Sequence, residues 1–352
     1  MAINSEAIEP KPRLLVGATF TATPLEDPIR FWLGELGLAY QLEFAPYQQL
    51  LAALLDPAGP FAGNRSGANV VLFRLEDLAP SLERIQAHAL ELARVVRTVA
   101  AGSLVPWLVS IGPDSPRFLE TQENQALGVE LRQTLHQELS GQPNIILLSA
   151  DSVIARYEVT EVDDPLGERA GHVPYRDAFF AALGTQVVRT VLALQRDPFK
   201  VIALDCDNTL WAGICGEDGP RGVTIDDARR SLQHVLAAQS QQGMLLTLVS
   251  KNNEPDVEET FESHPEMPLR WSDLAATRIN WEPKYTNLVQ LGSQLNLGLN
   301  SFIFLDDDAK ECAEMRRECP EVATLQLPAA SREIPRFLQH AWVFDHVKPM
   351  TV

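Results

Sequence analysis

The sequence has no run approaching the roughly eighteen consecutive apolar residues that a membrane-spanning helix requires. Its opening residues, MAINSEAIEPKPR, lack the apolar core of a signal peptide, so 1–12 are expected to form a disordered lead-in. The chain has only 4 cysteines, Cys206, Cys215, Cys312 and Cys319, all in the C-terminal half. They show no CxxC or Cys/His spacing, which argues against a zinc site and fits a reduced, cytoplasmic protein. Basic residues are also scarce: 29 against 47 acidic ones leave a net charge of −18. That balance argues against bulk binding to nucleic acid or to an anionic membrane.

What is present is ordinary for a globular protein, with 45% hydrophobic and 22% charged residues. At 352 residues the chain is long enough for two domains with separate cores.

The most informative stretch is Val201 to Gly219, VIALDCDNTLWAGICGEDG. Four apolar residues predict a buried strand, and it delivers two carboxylates, Asp205 and Asp207, with Thr209 two positions on. Side chains alternate along an extended segment, so the two carboxylates can point to the same side, and such a pair calls for a cation. Hard oxygen ligands suit Mg²⁺, which also accepts phosphate oxygens. An aspartate beside that ion can attack a phosphoryl group, and a second one can serve as acid and base. A solvated Asp-x-Asp turn would read the same way in isolation.

Three further pieces come in order, each at the end of a strand-like run. Leu245 to Val249 ends in Ser250-Lys251-Asn252-Asn253, whose hydroxyl, cation and amides suit phosphate oxygens. Lys284, in INWEPK, can neutralise charge on a transferring phosphoryl group. Phe302 to Leu305 is followed by Asp306, Asp307 and Asp308, which would repel one another without a shared cation.

This order of D-x-D-x-T, Ser, Lys and paired Asp resembles the haloacid-dehalogenase-like (HAD) phosphohydrolase superfamily. The strings LDCDNTLWAGICGEDG, VSKNNE, RINWEPKYTNL and FIFLDDD look like its FkbH-like branch, found in polyketide pathways that load glyceryl units onto acyl carrier proteins. ATFTATPLEDPIRFWLGELGL, EFAPYQQLLAALLDP, VVLFRLEDL and GHVPYRDAFFAALG look like that branch's N-terminal region, so the resemblance covers nearly the whole chain.

The resemblance implies a Mg²⁺-dependent enzyme that takes 1,3-bisphosphoglycerate to a glyceryl thioester on an acyl carrier protein. Asp205 would be the nucleophile and Asp207 the acid/base. Thr209, Ser250, Lys251 and Asn252 would bind phosphate, Lys284 would clamp charge, and Asp205, Asp207, Asp306 and Asp307 would hold the metal. Cys215, on a glycine-rich flap, is the first candidate for an acyl-carrying thiol and Cys206 the second; Cys312 and Cys319 are expected to be fillers. Asp308 departs from the branch, where a neutral Asn is common. A plain small-molecule phosphatase and a non-catalytic docking scaffold are the alternatives. The chain ends soon after the second domain, so any acyltransferase-like activity is expected from a partner.

Two α/β domains are expected. In the first, at 13–196, alternating strands and helices predict a parallel sheet that resembles an SGNH-hydrolase-like domain. Its first loop, Gly17-Ala18-Thr19-Phe20-Thr21, has no serine, so no catalysis of its own is expected, even with Thr19, Thr21, Asn69, Asp163, Asp164 and His172 nearby. His172 reads as a structural residue packed on Pro174 and Tyr175. The second domain, at 200–352, is expected to be a doubly wound parallel sheet with carboxylates at its C-terminal edge and no inserted cap. An acidic carrier protein would need a basic patch, and Arg229-Arg230 and Arg316-Arg317 are the candidates.

Overall fold

The computed structural model describes residues 11–345, so the lead-in expected at 1–12 falls outside it but for Lys11 and Pro12. The chain divides into two compact units between Val191 and Leu192.

The first unit holds five parallel strands, β1 (Arg13–Ala18), β2 (Gln41–Phe44), β3 (Gly67–Phe73), β4 (Trp107–Ile111) and β5 (Ile145–Leu147), in the order β2-β1-β3-β4-β5. Leu15, Val71, Phe73, Trp107 and Val109 lie in one core with Leu92 and Val96, which recur at helical spacing along Leu82–Ala101. Among the described residues, one helix, Asp177–Gln195, is long and apolar enough to cross a membrane. Of its apolar window, 61% is buried inside the protein, as in a core helix of a globular fold.

The second unit holds β6 (Val201–Leu204), β7 (Leu245–Ser250), β8 (Leu274–Ile279), β9 (Phe302–Asp306) and β10 (Ala323–Gln326), again all parallel, in the order β10-β9-β6-β7-β8. β6 is buried throughout because helices cover both faces. Ile202 and Leu204 pack into one core with Leu246, Leu248, Ile303 and Leu305, whereas Val201 and Ala203 pack into the other with Val249, Phe302 and Phe304.

This topology places the chemistry. The chain steps from β6 to β7 and β8 on one side, then returns to β9 on the other, so the strand order reverses at β6. Leu204 is in register with Leu305 of β9 and with Leu248 of β7. Asp205, Asp306 and Ser250, which lie just beyond those positions, therefore come together at the C-terminal ends of three adjacent strands.

Two strands, β8 and β10, carry no apolar run and were not expected. Both are edge strands with half-buried residues, LAATRI and ATLQ, so they lack the continuous hydrophobicity of a central parallel strand.

Candidate active site

Asp205, Asp306 and Asp307 each offer a carboxylate oxygen within 4.8 Å of the others. Asp205 and Asp306 are buried, and Lys284 reaches between them, its Nζ 2.8 Å from Asp205 Oδ1 and 2.7 Å from Asp306 Oδ2. Ser250 Oγ donates to Asp205 Oδ1 at 2.8 Å, and the Asp308 amide donates to Asp306 Oδ1 at 2.9 Å. Thr209 Oγ1 lies 3.4 Å from Asp307 Oδ1.

Burial and the Asp205 charge push the Asp306 carboxyl up to about 7, with Lys284 pulling the other way. Asp307 is raised for the same first two reasons. Three carboxylates against one ammonium is an uncompensated buried charge, which a divalent cation held by oxygen ligands would neutralise. The donor set is all carboxylate, with no soft ligand from the nearby thiols, and it fits Mg²⁺.

Asp207 stands apart from that cluster. Its Oδ1 accepts from Trp211 Nε1 at 2.8 Å and from the Cys215 amide at 3.0 Å, while its Oδ2 accepts from Asn252 Nδ2 at 2.9 Å. With three donors in place, its carboxylate is not one of the oxygens brought together for a metal. Asn252, expected on phosphate, instead spans Asp207 and Ser250 Oγ, the latter at 3.1 Å.

The expected hairpin flap is a single antiparallel bridge between Ala212 and Thr224 that encloses a helical turn, Cys215–Asp218. Gly213 at φ 104° makes the entry to that turn, where a Cβ would sit 2.6 Å from Asp218 Oδ2. Below it, Asn208 adopts φ 55°, and its carbonyl accepts from the buried Arg229 at 2.8 Å.

Four expectations change with these positions. Lys251, expected on phosphate, is ion-paired with Glu311 at 2.6 Å. Asp308 adds no charge there either: it caps the helix Ala309–Glu318, accepting from the amides of Lys310 at 2.7 Å and Glu311 at 3.2 Å. Arg229 is buried against Asp226 and the Asn208 carbonyl, so Arg229-Arg230 is no docking patch.

The fourth is Cys215, which is 1% exposed, its thiol pushed up to about 12 by burial and by Asp207. A thiol so held is a poor nucleophile, and Cys206, fully buried and also raised, is no better. Because its backbone amide is what holds Asp207, Cys215→Ser is expected to keep phosphate release within about threefold of the parent, measured as steady-state kcat.

In the first unit, His172, expected as a structural residue on Pro174 and Tyr175, is hydrogen-bonded at both ring nitrogens. Its Nδ1 meets the Tyr47 hydroxyl at 2.8 Å, and its Nε2 meets Asp77 at 3.1 Å and Arg74 at 3.0 Å. Neither Asp163 nor Asp164 is its carboxylate partner: Asp164 caps the helix Pro165–Gly171, and Asp163 bridges to Tyr175. Thr19 donates to Asp77 at 2.8 Å, Thr21 to the Gly171 carbonyl at 2.6 Å, and Asn69 accepts from Asn64 at 2.9 Å.

Arg74, 3% exposed, is ion-paired to Asp77, Glu168 and Glu76 and lines a cavity of about 740 Å³ with them. The signal for this cluster was the run Arg74-Leu75-Glu76-Asp77 directly after an apolar strand. Arg74→Met would strand three carboxylates and is expected to cost about 3–5 kcal/mol in urea unfolding. That deficit should shrink as pH falls, because the unpaired acids take up protons.

No family model and no curated protein sequence matches the chain. Its structure is similar to the crystal structure of the N-terminal part of a Bacteroides fragilis protein containing a phosphatase domain, complexed with Mg. The TM-score is 0.81 at 21% identity, covering 96% of this chain and 95% of that one, so the fold is shared across both units. A HAD family enzyme from Bacteroides thetaiotaomicron, complexed with magnesium and inorganic phosphate, matches at TM-score 0.29 and 10% identity over 38% of this chain and 96% of that one. A 3-deoxy-D-manno-octulosonate 8-phosphate phosphatase from Moraxella catarrhalis matches at 0.29 and 17%, over 41% and 86%. These last two scores are too low to carry an argument.

Proposed function

We propose that the second unit is a Mg²⁺-dependent phosphoryl-transfer site of the HAD type. The observation that carries this reading is the placement of Asp205, with Ser250 and Lys284 on its Oδ1 and the Asp306 and Asp307 carboxylates beside it. The Mg bound in the similar Bacteroides fragilis structure supports the same ion here, held by Asp205, Asp306 and Asp307. Bound there, it would neutralise the carboxylates and the charge on the phosphoryl oxygens.

The chain's own groups then have these roles. An Asp205 oxygen attacks phosphorus, the bond to the leaving oxygen breaks, and Asp207 gives that oxygen its proton. Water next attacks the aspartyl-phosphate, Asp207 takes the proton back, and the Asp205 carboxylate leaves. Thr209 and Ser250 are hydroxyl donors for the phosphoryl oxygens, and Lys284 balances charge throughout.

The finer reading rests on the FkbH-like motifs: the 3-phosphate of 1,3-bisphosphoglycerate is hydrolysed through Asp205, and the thiol of an acyl carrier protein attacks the C1 acyl carbon and displaces the 1-phosphate, leaving the glyceryl group as a thioester in polyketide biosynthesis. The buried state of Cys215 and Cys206 favours direct delivery to the carrier's thiol over an enzyme thioester. The first unit, at 13–196, is assigned as an SGNH-like platform for substrate or partner, and 200–352 as the catalytic domain. Four buried free thiols fit a reduced, cytoplasmic setting.

Intact-protein mass spectrometry of a carrier protein, incubated with the enzyme, Mg²⁺ and enzymatically generated 1,3-bisphosphoglycerate, tests this. A glyceryl-sized gain that depends on Asp205 is expected. Phosphate release with no gain on the carrier would leave a small-molecule phosphatase.

A further inference from the structure

We propose that Trp211 is a positioning residue that fixes which oxygen of Asp207 handles the proton, an inference that rests on the acid/base reading of Asp207. The indole N–H and the Cys215 amide both point at Oδ1, at 2.8 and 3.0 Å. Both groups only donate, and together they occupy the two lone pairs of Oδ1, so a hydrogen there would have to displace one of them. Oδ1 is thereby held as an acceptor, and the transferable proton belongs on Oδ2.

Oδ2 faces a different kind of partner. Asn252 reaches it through Nδ2 at 2.9 Å, and the other end of that amide, Oδ1, lies 3.5 Å from Cys215 Sγ. A primary amide carries a donor and an acceptor, so by turning over it can meet either a bare or a protonated oxygen. The carboxylate therefore has one fixed edge and one adaptable edge.

Trp211 is suited to hold the fixed edge. It is fully buried, and its ring stands edge-on to Phe261 at 5.9 Å, which in turn stands edge-on to Trp271 at 5.7 Å. The core packed around the indole thus sets its N–H direction. Removing that donor while keeping the packing frees the carboxylate to rotate, and Oδ1 then competes for the proton. Phosphate esters whose leaving oxygen needs protonation suffer; those with a stable leaving anion do not.

The test compares kcat/KM, which reports transfer to Asp205 and not the hydrolysis common to both esters, for an alkyl phosphate and for p-nitrophenyl phosphate, in Mg²⁺, for Trp211→Phe and Asp207→Asn. Trp211 is also replaced by β-(3-benzothienyl)alanine, which keeps the bicyclic shape and lacks only the N–H. With general acid catalysis worth about 10²–10⁴-fold, both Trp211 changes should lower kcat/KM on the alkyl phosphate by about tenfold or more. On p-nitrophenyl phosphate the loss should stay under about threefold.

Equal losses on both substrates for the benzothienyl variant would overturn the positioning role while leaving Asp207 as the acid. If Asp207→Asn itself shows no leaving-group selectivity, the acid/base reading falls, and this inference with it.

Discussion

Asp205→Asn is expected to lower phosphate release by at least about a thousandfold, since the amide cannot attack phosphorus. The fold should survive, because the exchange is nearly isosteric and both Ser250 Oγ and Lys284 Nζ can still donate to the remaining oxygen. Stability in the absence of Mg²⁺ should hold or rise: one of three crowded carboxylates has lost its charge, while Asp306 keeps Lys284 at 2.7 Å. A phosphate-release assay paired with thermal unfolding separates the two effects. Full activity in this variant would remove Asp205 as the nucleophile.

Lys284→Met is expected to have the larger effect on stability. The ammonium is 5% exposed and is the cation in contact with both Asp205 and Asp306. Burial disfavours its charge, but the two carboxylates outweigh that and raise its pKa, so it is charged at every working pH. Deleting one member of a buried ion pair typically costs about 3–5 kcal/mol, because the partners are left uncompensated.

Asp306 sets the pH dependence. Its folded pKa of about 7 lies above the ordinary carboxylate value of about 4, so the folded state binds that proton more tightly than the unfolded state. Metal-free stability from this group should therefore fall as pH rises through that window, from about 4 to about 7. The fall should continue to higher pH and be larger in total in Lys284→Met, where Asp306 has lost the group that opposes its shift. Mg²⁺ should then raise the melting temperature more at pH 8 than at pH 5, and most of all in the variant. A Mg²⁺ shift that is equal at both pH values would contradict the placement of the ion at these carboxylates.

The residues at strand ends were legible in the sequence because a buried parallel strand is a continuous apolar run, and the next residues in the chain must emerge at one edge of the sheet. That reasoning led to Asp205, Ser250 and Asp306, which the register of β6, β7 and β9 then brings side by side. Lys284 was legible as the cation of INWEPK, placed in order between the serine and the paired aspartates.

Side-chain direction was not legible. Asp207 alternates with Asp205 on paper, yet the chain turns at Asn208 with φ 55°, and Trp211 and Cys215 take its carboxylate. Lys251 lies next to Ser250, and alternation sends it away to Glu311. Asp308 comes directly after two site acids but caps the helix Ala309–Glu318, where its carboxylate accepts from the otherwise unpaired amides of the first turn. In the first unit, Asp77 is 95 residues from His172, and no local pattern links them.

In the proposed reaction, phosphoryl transfer passes through a covalent bond to Asp205. Its most direct test is to mix enzyme, Mg²⁺ and a phosphate ester, quench with borohydride, and read residue 205 by peptide mass spectrometry. Reduction of an aspartyl-phosphate converts that side chain to the homoserine alcohol, and the account predicts this conversion at Asp205, dependent on substrate. Substrate turnover with Asp205 unmodified, or with the reduction found at Asp207 or Asp306 instead, would contradict it.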